Sequence, residues 1–177
     1  MDSILAASRT PFRWLCAFAA ILLLSACGVQ RGTTRDTATL PPGYGVAVAR
    51  ILMVNGEKLP SIPQISAISR SSVMVADVVV EMNSHTNYSV TILREGDYSW
   101  RGVYVGTRSS EFRGLLPFHI TAGEVNYVGD LTVTVTPSRY GLSISDHSSD
   151  LRAYMTTNYP HIMKGHPFVT SLTQDHR

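Results

Sequence analysis

The sequence predicts a mainly β chain, an antiparallel β-sandwich of about seven strands with one C-terminal helix. Three observations predict it. Apolar and polar residues alternate with a period of two across most of residues 44–145, which is the strand period. Turn chemistry separates the alternating runs: Asn55-Gly56, Arg94-Glu95-Gly96-Asp97, Ala122-Gly123-Glu124 and Pro137-Ser138. Helical spacing is confined to one stretch near the C-terminus.

Taken in order, YGVAVARILMV (Tyr44 to Val54) is β-rich and ends at Asn55-Gly56. VMVADVVVEM sets Met74, Ala76, Val78, Val80 and Met82 against Asp77 and Glu81. YSVTI sets Tyr88, Val90 and Ile92 against Ser89 and Thr91. YSWRGVYV sets Tyr98, Trp100 and Tyr104 against Arg101, and PFHIT sets Phe118 and Ile120 against His119. In VNYVGDLTVTVT, Val125, Tyr127, Leu131, Val133 and Val135 share one face, with Asn126, Asp130, Thr132, Thr134 and Thr136 opposite. Gly129 interrupts that strand and predicts a bulge or a close backbone approach. RYGLSIS turns Tyr140, Leu142 and Ile144 inward. Such half-buried strands imply a sandwich with polar outer faces. Residues 57–71 read as a loop, or as a loop with a short strand.

A helix is expected over about 149–159, where Leu151, Tyr154 and Met155 recur at helical spacing. Ser148 or Ser149 is placed to cap it, Asp150 suits its first turn, and Pro160 ends it near Asn158. Residues 166–177 read as a loose tail. The sandwich domain thus spans 43–165.

The N-terminus has a different character. Arg9 and Arg13 precede a continuous apolar run from Trp14 to Leu24, and Ser25 and Ala26 follow. Basic, apolar, small is the order of a secretory signal peptide. The run is about half of the roughly 20 residues a spanning helix needs. Leu24-Ser25-Ala26-Cys27 resembles the bacterial lipobox. That resemblance implies cleavage between Ala26 and Cys27, removal of residues 1–26, and a diacylglyceryl group on the Cys27 sulfur followed by acylation of its new amine. The covalent lipid on Cys27 is then the one prosthetic group expected, with no cofactor and no metal. Gly28, where some such lipoproteins carry Asp, points to the outer membrane, facing the periplasm.

Cysteine content agrees with this reading. The chain has 2 Cys, Cys16 and Cys27. Cys16 leaves with the signal and lipidation consumes Cys27, so no disulfide forms within the chain and no thiol is left exposed. Processing removes Arg9, Arg13 and Asp2, lowering the formal charge of +2 by one. The cations are dispersed, which argues against a nucleic-acid partner. Residues 27–42, polar until Leu40 and then Pro41-Pro42-Gly43, read as the lipidated Cys and a flexible tether.

Two stretches carry a further resemblance. REGDYSWRGVYVG has the Gly-x-Tyr-x-Trp form of small PEGA-like and carboxypeptidase-regulatory-like sandwiches. FHITAGEVNYVGDLTV and RYGLSISDHSSDLRAYMTTNYP are similar to segments of uncharacterised bacterial lipoproteins. The likeness covers about 75–160. It implies a fold and carries no catalytic residue.

A search for chemistry yields little. The histidines 85, 119, 147, 161, 166 and 176 fall in separate turns, strands and tails, without the spacing of a zinc protease. SISDHSSD brings Ser145, Asp146, His147 and Asp150 together, but a strand-to-helix connection with a cap explains those residues, and no G-x-S-x-G elbow is present. The chain is therefore expected not to be an enzyme. It is expected to be an accessory or protein-interaction domain held at the membrane, with an envelope protein as its partner. The alternative is a small-ligand or glycan-binding lipoprotein, with Tyr98, Trp100 and Tyr104 as the aromatic groove.

Overall fold

The computed structural model describes residues 30–31, 33–37, 39–54, 61–70, 78–112, 116–135 and 140–175. The signal segment, Cys27, the Asn55-Gly56 turn and residues 71–77 lie outside the described residues. The fold is mainly β, as the alternation predicts, with two sheets face to face and a helical layer; eleven strands stand among the described residues, where the sequence predicts about seven. The first sheet runs β1 (Gln30–Arg31), β4 (Val78–Glu81), β3 (Pro63–Ser69), β6 (Gly96–Val105), β7 (Arg108–Glu111), with β8 (Pro117–Ile120) also paired to β6. The second runs β10 (Tyr140–Ser145), β9 (Val125–Val135), β2 (Tyr44–Val54), β5 (Thr86–Arg94), with β11 (Phe168–Thr170) on β9. Two helices follow β10: α1 (Ser148–Asn158) and α2 (Pro160–Gly165). No helix among the described residues is long and apolar enough to cross a membrane.

Most pairings are antiparallel, as expected. The central pair of the second sheet, β2 with β9, is parallel. Parallel neighbours need a long crossover, and here the intervening chain supplies it by building β3, β4, β6, β7 and β8. Residues 57–71, ambiguous in the sequence, contain β3, a central strand between β4 and β6. Its Pro63 stands at the first strand position, where a missing N–H costs little.

The second sheet is covered on both faces, which corrects the expectation of polar outer faces on both sheets. One face packs on the first sheet: Ala47, Ala49, Ile51, Leu131 and Val133 meet Ile65, Ala67, Trp100, Val103 and Phe118. The other packs on the helices: Val46, Val48, Val90, Val125 and Tyr127 meet Leu151, Met155, Tyr159 and Ile162. At about 1.5–3 kcal/mol for each large apolar side chain fully buried, this face makes the helices part of the domain.

Two β-bulges reset the alternation. In β9 the pairing with β2 slips by one residue at Val48/Ala49, beside Gly129 with φ 113°. An extra residue reverses which side chains face which way. Val125 and Tyr127 therefore face the helices, and Leu131, Val133 and Val135 face the other sheet. They do not share one face, and Asn126 and Asp130, expected outward, are both buried. Asn126 is satisfied there: its side chain accepts from Thr121 N at 3.0 Å and donates to Glu124 O and Thr121 O. β5 departs too, because Ser89, Thr91 and Leu93 take the inter-sheet side and are buried.

Both ends of the domain are tied down. Thr34 N donates to Val90 O at 2.6 Å, and Thr33 Oγ1 donates to Tyr88 O at 3.2 Å. The Asp36 carboxylate accepts from the amides of His161 and Ile162 at 3.1–3.2 Å, satisfying free N–H groups at the start of α2. Residues 33–37 are thus held against the domain and do not form a free tether. The tail is docked as well. β11 adds to β9, Ser171 and Thr173 donate to the backbone of Tyr127 and Val128, and Gln174 N donates to Pro117 O on β8. Its Phe168 and Leu172 pack against the helical-side core, so 168–174 correct the expectation of a loose tail.

α1 begins one residue before the expected span and ends at Asn158, before Pro160, as expected. Pro160 opens α2, a second short helix that the spacing did not predict. Neither Ser148 nor Ser149 is the cap. His147 occupies that position without a side-chain cap bond, and Asp146 Oδ1 accepts from Ser148 N at 2.9 Å.

Candidate functional site

The predicted aromatic groove does not form. Tyr98 and Trp100 are 5% and 4% exposed and pack with Phe118 inside the sandwich. Trp100 Nε1 donates to Thr173 Oγ1 at 3.1 Å, and Tyr98 OH donates to Arg94 O at 2.9 Å. Both polar handles are thus used internally, as buried Trp and Tyr require. Tyr104 leaves their face, because the β3/β6 pairing slips at Ser66/Ala67 and brings Val103 and Val105 inward instead. Ala26 and Cys27 lie outside the described residues.

What the fold does assemble is a polar cluster at the start of α1, centred on Asp130. The β9 bulge puts Asp130 on the helix-facing side, in register with Arg50 of β2. Its carboxylate has no exposed surface. Oδ2 accepts from Arg50 Nε at 2.7 Å and from Arg50 Nη2, and His147 Nδ1 lies 3.0 Å from it. Oδ1 accepts from Tyr127 OH at 3.0 Å, and that hydroxyl in turn accepts from His147 N at 2.9 Å. Arg50 Nη1 also reaches Asp150 in the first turn of α1, 4.0 Å away. A buried carboxylate is tolerated only when its charge is paired and its lone pairs are met; the two Arg50 nitrogens and the Tyr127 hydroxyl meet that condition.

The electrostatics follow from this geometry. Burial alone would pull the Arg50 pKa down, but the hydrogen bond and charge of Asp130 more than offset it, leaving the guanidinium firmly charged. Burial pushes the Tyr127 hydroxyl well above its usual value, opposed by the His147 amide and reinforced by Asp130, so it stays protonated. The His147 side chain is about half exposed.

Such a carboxylate–imidazole pair resembles part of a general-base arrangement. Two facts set this one apart. Arg50 already neutralises the carboxylate, and Ser145 Oγ lies 3.4 Å from Nδ1, the nitrogen that faces Asp130. The cluster ties β2, β9 and α1 together. Sequence adjacency drew attention to Asp146 beside His147, yet the partner is Asp130, seventeen positions away in the chain. The available signal was Gly129, since a bulge there turns Asp130 inward.

The other histidines are not uniformly solvated either. His119 Nδ1 lies 2.8 Å from Asp97 Oδ1 on the surface, and the hydrogen bond from His119 holds the Asp97 carboxyl below its usual value. His166 Nδ1 lies 2.9 Å from Gly123 O. Among the described residues no three His, Cys, Asp or Glu side chains are grouped to hold a metal.

Two open grooves flank the sandwich. One, of about 500 Å³, lies between the β4–β5 turn, β5 and α1, and is lined by Glu81, Asn83, Ser84, Asn87, Tyr88 and Tyr154. The rings of Tyr88 and Tyr154 stack there at 3.7 Å. The second, of about 540 Å³, is lined by Arg70, Asp97, His119 and the docked tail. The chain matches no protein-family model and no curated protein.

Proposed function

We propose that the chain is a lipid-anchored protein of the bacterial cell envelope, on the outer membrane facing the periplasm. Its sandwich domain binds an envelope protein partner and catalyses no reaction itself. The observation that carries this reading is Leu24-Ser25-Ala26-Cys27 at the end of the apolar run Trp14 to Leu24. Acyl chains contribute about 0.8 kcal/mol per buried methylene, and two or more anchor stably. The hydrogen bonds of Thr33 and Thr34 to β5 support an interaction role close to the bilayer, because they leave only a short stretch between Cys27 and the domain.

The test is the mass of the N-terminal peptide from membrane-fractionated protein, beside Cys27→Ser. A peptide that begins at Cys27 with added acyl mass, absent from the variant, is expected. An unmodified N-terminus in the soluble fraction refutes the anchor. Crosslinking of the anchored protein in its own envelope should then recover one specific protein; recovery of none refutes the partner.

A second reading, a small-ligand or glycan-binding lipoprotein, is favoured by the groove beside Tyr88 and Tyr154, which falls in the ordinary size range of ligand sites. Amide shifts of Asn83 and Asn87 on addition of neutral oligosaccharides would support it, and their absence would count against it. Trp100 is a poor reporter, being buried elsewhere.

A further inference from the structure

We infer that one rim of the sandwich, formed by Arg70, Arg94, Glu95, Asp97 and His119, lies against the lipid bilayer, and that the opposite rim points away from it. This inference rests on the anchor at Cys27 proposed above and adds the domain's orientation.

Register decides which rim. Gln30 of β1 is in line with Val78 of β4, Val78 with Ala67 of β3, and Ala67 with Trp100 of β6. β1 is parallel to β4, and two antiparallel steps make β4 run in the direction of β6. The chain therefore enters β1 from the side of Gly96. Cys27 precedes Gln30 by three residues, just as Asp97 precedes Trp100. At about 3.3–3.6 Å per residue, Cys27 lies within roughly 10 Å of Gln30. Glu95 joins the end of β5 to the start of β6, Arg70 N donates to Asp97 O, and His119 faces Asp97, so these residues share one rim.

Among the described residues this rim mixes both signs of charge. Arg70 and Arg94 are offset by Glu95 and Asp97, all exposed. Headgroup attraction then supplies little, and the short chain to Cys27 sets the orientation. The far rim is one β6 length away, about 30 Å for ten residues at roughly 3.3 Å each. It carries the Gly106-Thr107 turn and Ile62, a large apolar side chain 52% exposed. That places Ile62 where a protein partner, and not lipid, can cover it.

The experiment uses the lipidated protein in phosphatidylcholine vesicles that contain a nitroxide-headgroup lipid. Glu95→Cys and Thr107→Cys are labelled with the same fluorophore, since the processed, acylated chain has no other free thiol. Quenching at position 95 should exceed that at 107 by about threefold or more, given the roughly 30 Å between them. It should not change when anionic lipid or salt is added. Protein that floats with the vesicles but is quenched equally at both sites, or more at 107, overturns the orientation and leaves the anchor standing. Protein that fails to float and lacks the acyl mass overturns the anchor, and the orientation with it.

Discussion

Replacing Asp130 by asparagine removes one negative charge from the most buried polar group that ties α1 to the second sheet. The carboxylate meets Arg50, His147 and Tyr127, and it has no exposed surface. Hydrogen bonds to charged groups contribute about 1.5–3 kcal/mol each, but these share one acceptor and are not additive. Removing one partner of a buried pair costs about 3–5 kcal/mol. Arg50 keeps 19% of its side chain exposed and can recover part of its hydration, and the half-exposed His147 adds little. The expected loss is therefore near the low end, about 3 kcal/mol. In urea this lowers the midpoint by about 1–3 M at an unchanged slope, for slopes of about 1–3 kcal/mol per molar. The double variant Arg50→Met, Asp130→Leu should be more stable than Asp130→Asn, because no uncompensated charge is left buried. A loss below about 1 kcal/mol for Asp130→Asn, or a double variant worse than the single, would refute the claim that this cluster fastens the helix.

Further outcomes follow from the same structure. Asp36→Ala should cost about 1 kcal/mol, the usual scale for losing a carboxylate at a helix start, and should speed amide exchange at His161 and Ile162 specifically; unchanged exchange there would show the contact to be idle. Gly45→Ala should destabilise by more than about 2 kcal/mol, because a Cβ would press on Thr121 O and approach Asn126 Nδ2 and Ile120 Cγ2 to 2.9 Å; a normal melting temperature would contradict that packing. Burial raises the pKa of Tyr127, Tyr154 and Tyr159 in the folded chain, so their contribution is full below the unfolded value of about 10 and is lost as pH rises beyond it. Ultraviolet titration should accordingly show late-ionising tyrosines that become normal on unfolding, and uniform titration near pH 10 in the folded protein would refute this. The lowered Asp97 pKa has the opposite sign: its small contribution is present above the unfolded value of about 3.9 and is lost as pH falls through the folded value. His119→Ala should abolish that acid dependence, as followed by the Asp97 carboxyl chemical shift. Deleting 168–175 strips a strand from β9 and the Thr173 partner from Trp100, so it should red-shift tryptophan emission; an unshifted spectrum would mean that the tail is dispensable.

Much of the fold can be read from residue order, because strand formation follows local alternation and turn chemistry. Tyr44 to Val54 is expected as a strand and is one, end to end. The helix stop before Pro160 is equally local, a matter of one missing N–H. The faces of the strands are less legible. Alternation is counted along one chain, whereas a bulge is defined by the partner strand, and each bulge inverts everything after it. That is why Tyr104 leaves the face of Tyr98 and Trp100, and why Asp130 enters the interior.

The sequence by itself determined the β class, most strand positions, the single helical region and the irregularity at Gly129, because each depends on neighbours in the chain. Only the tertiary structure decided that the second sheet is covered on both faces, that β2 and β9 run parallel, that the polar segment at 33–37 and the tail are bound, and that His147 pairs with Asp130. In each case the deciding group is distant in the chain. A polar segment looks unstructured until a strand edge or a helix start supplies partners for its hydrogen bonds, and a buried carboxylate is acceptable only once folding has delivered its counterion.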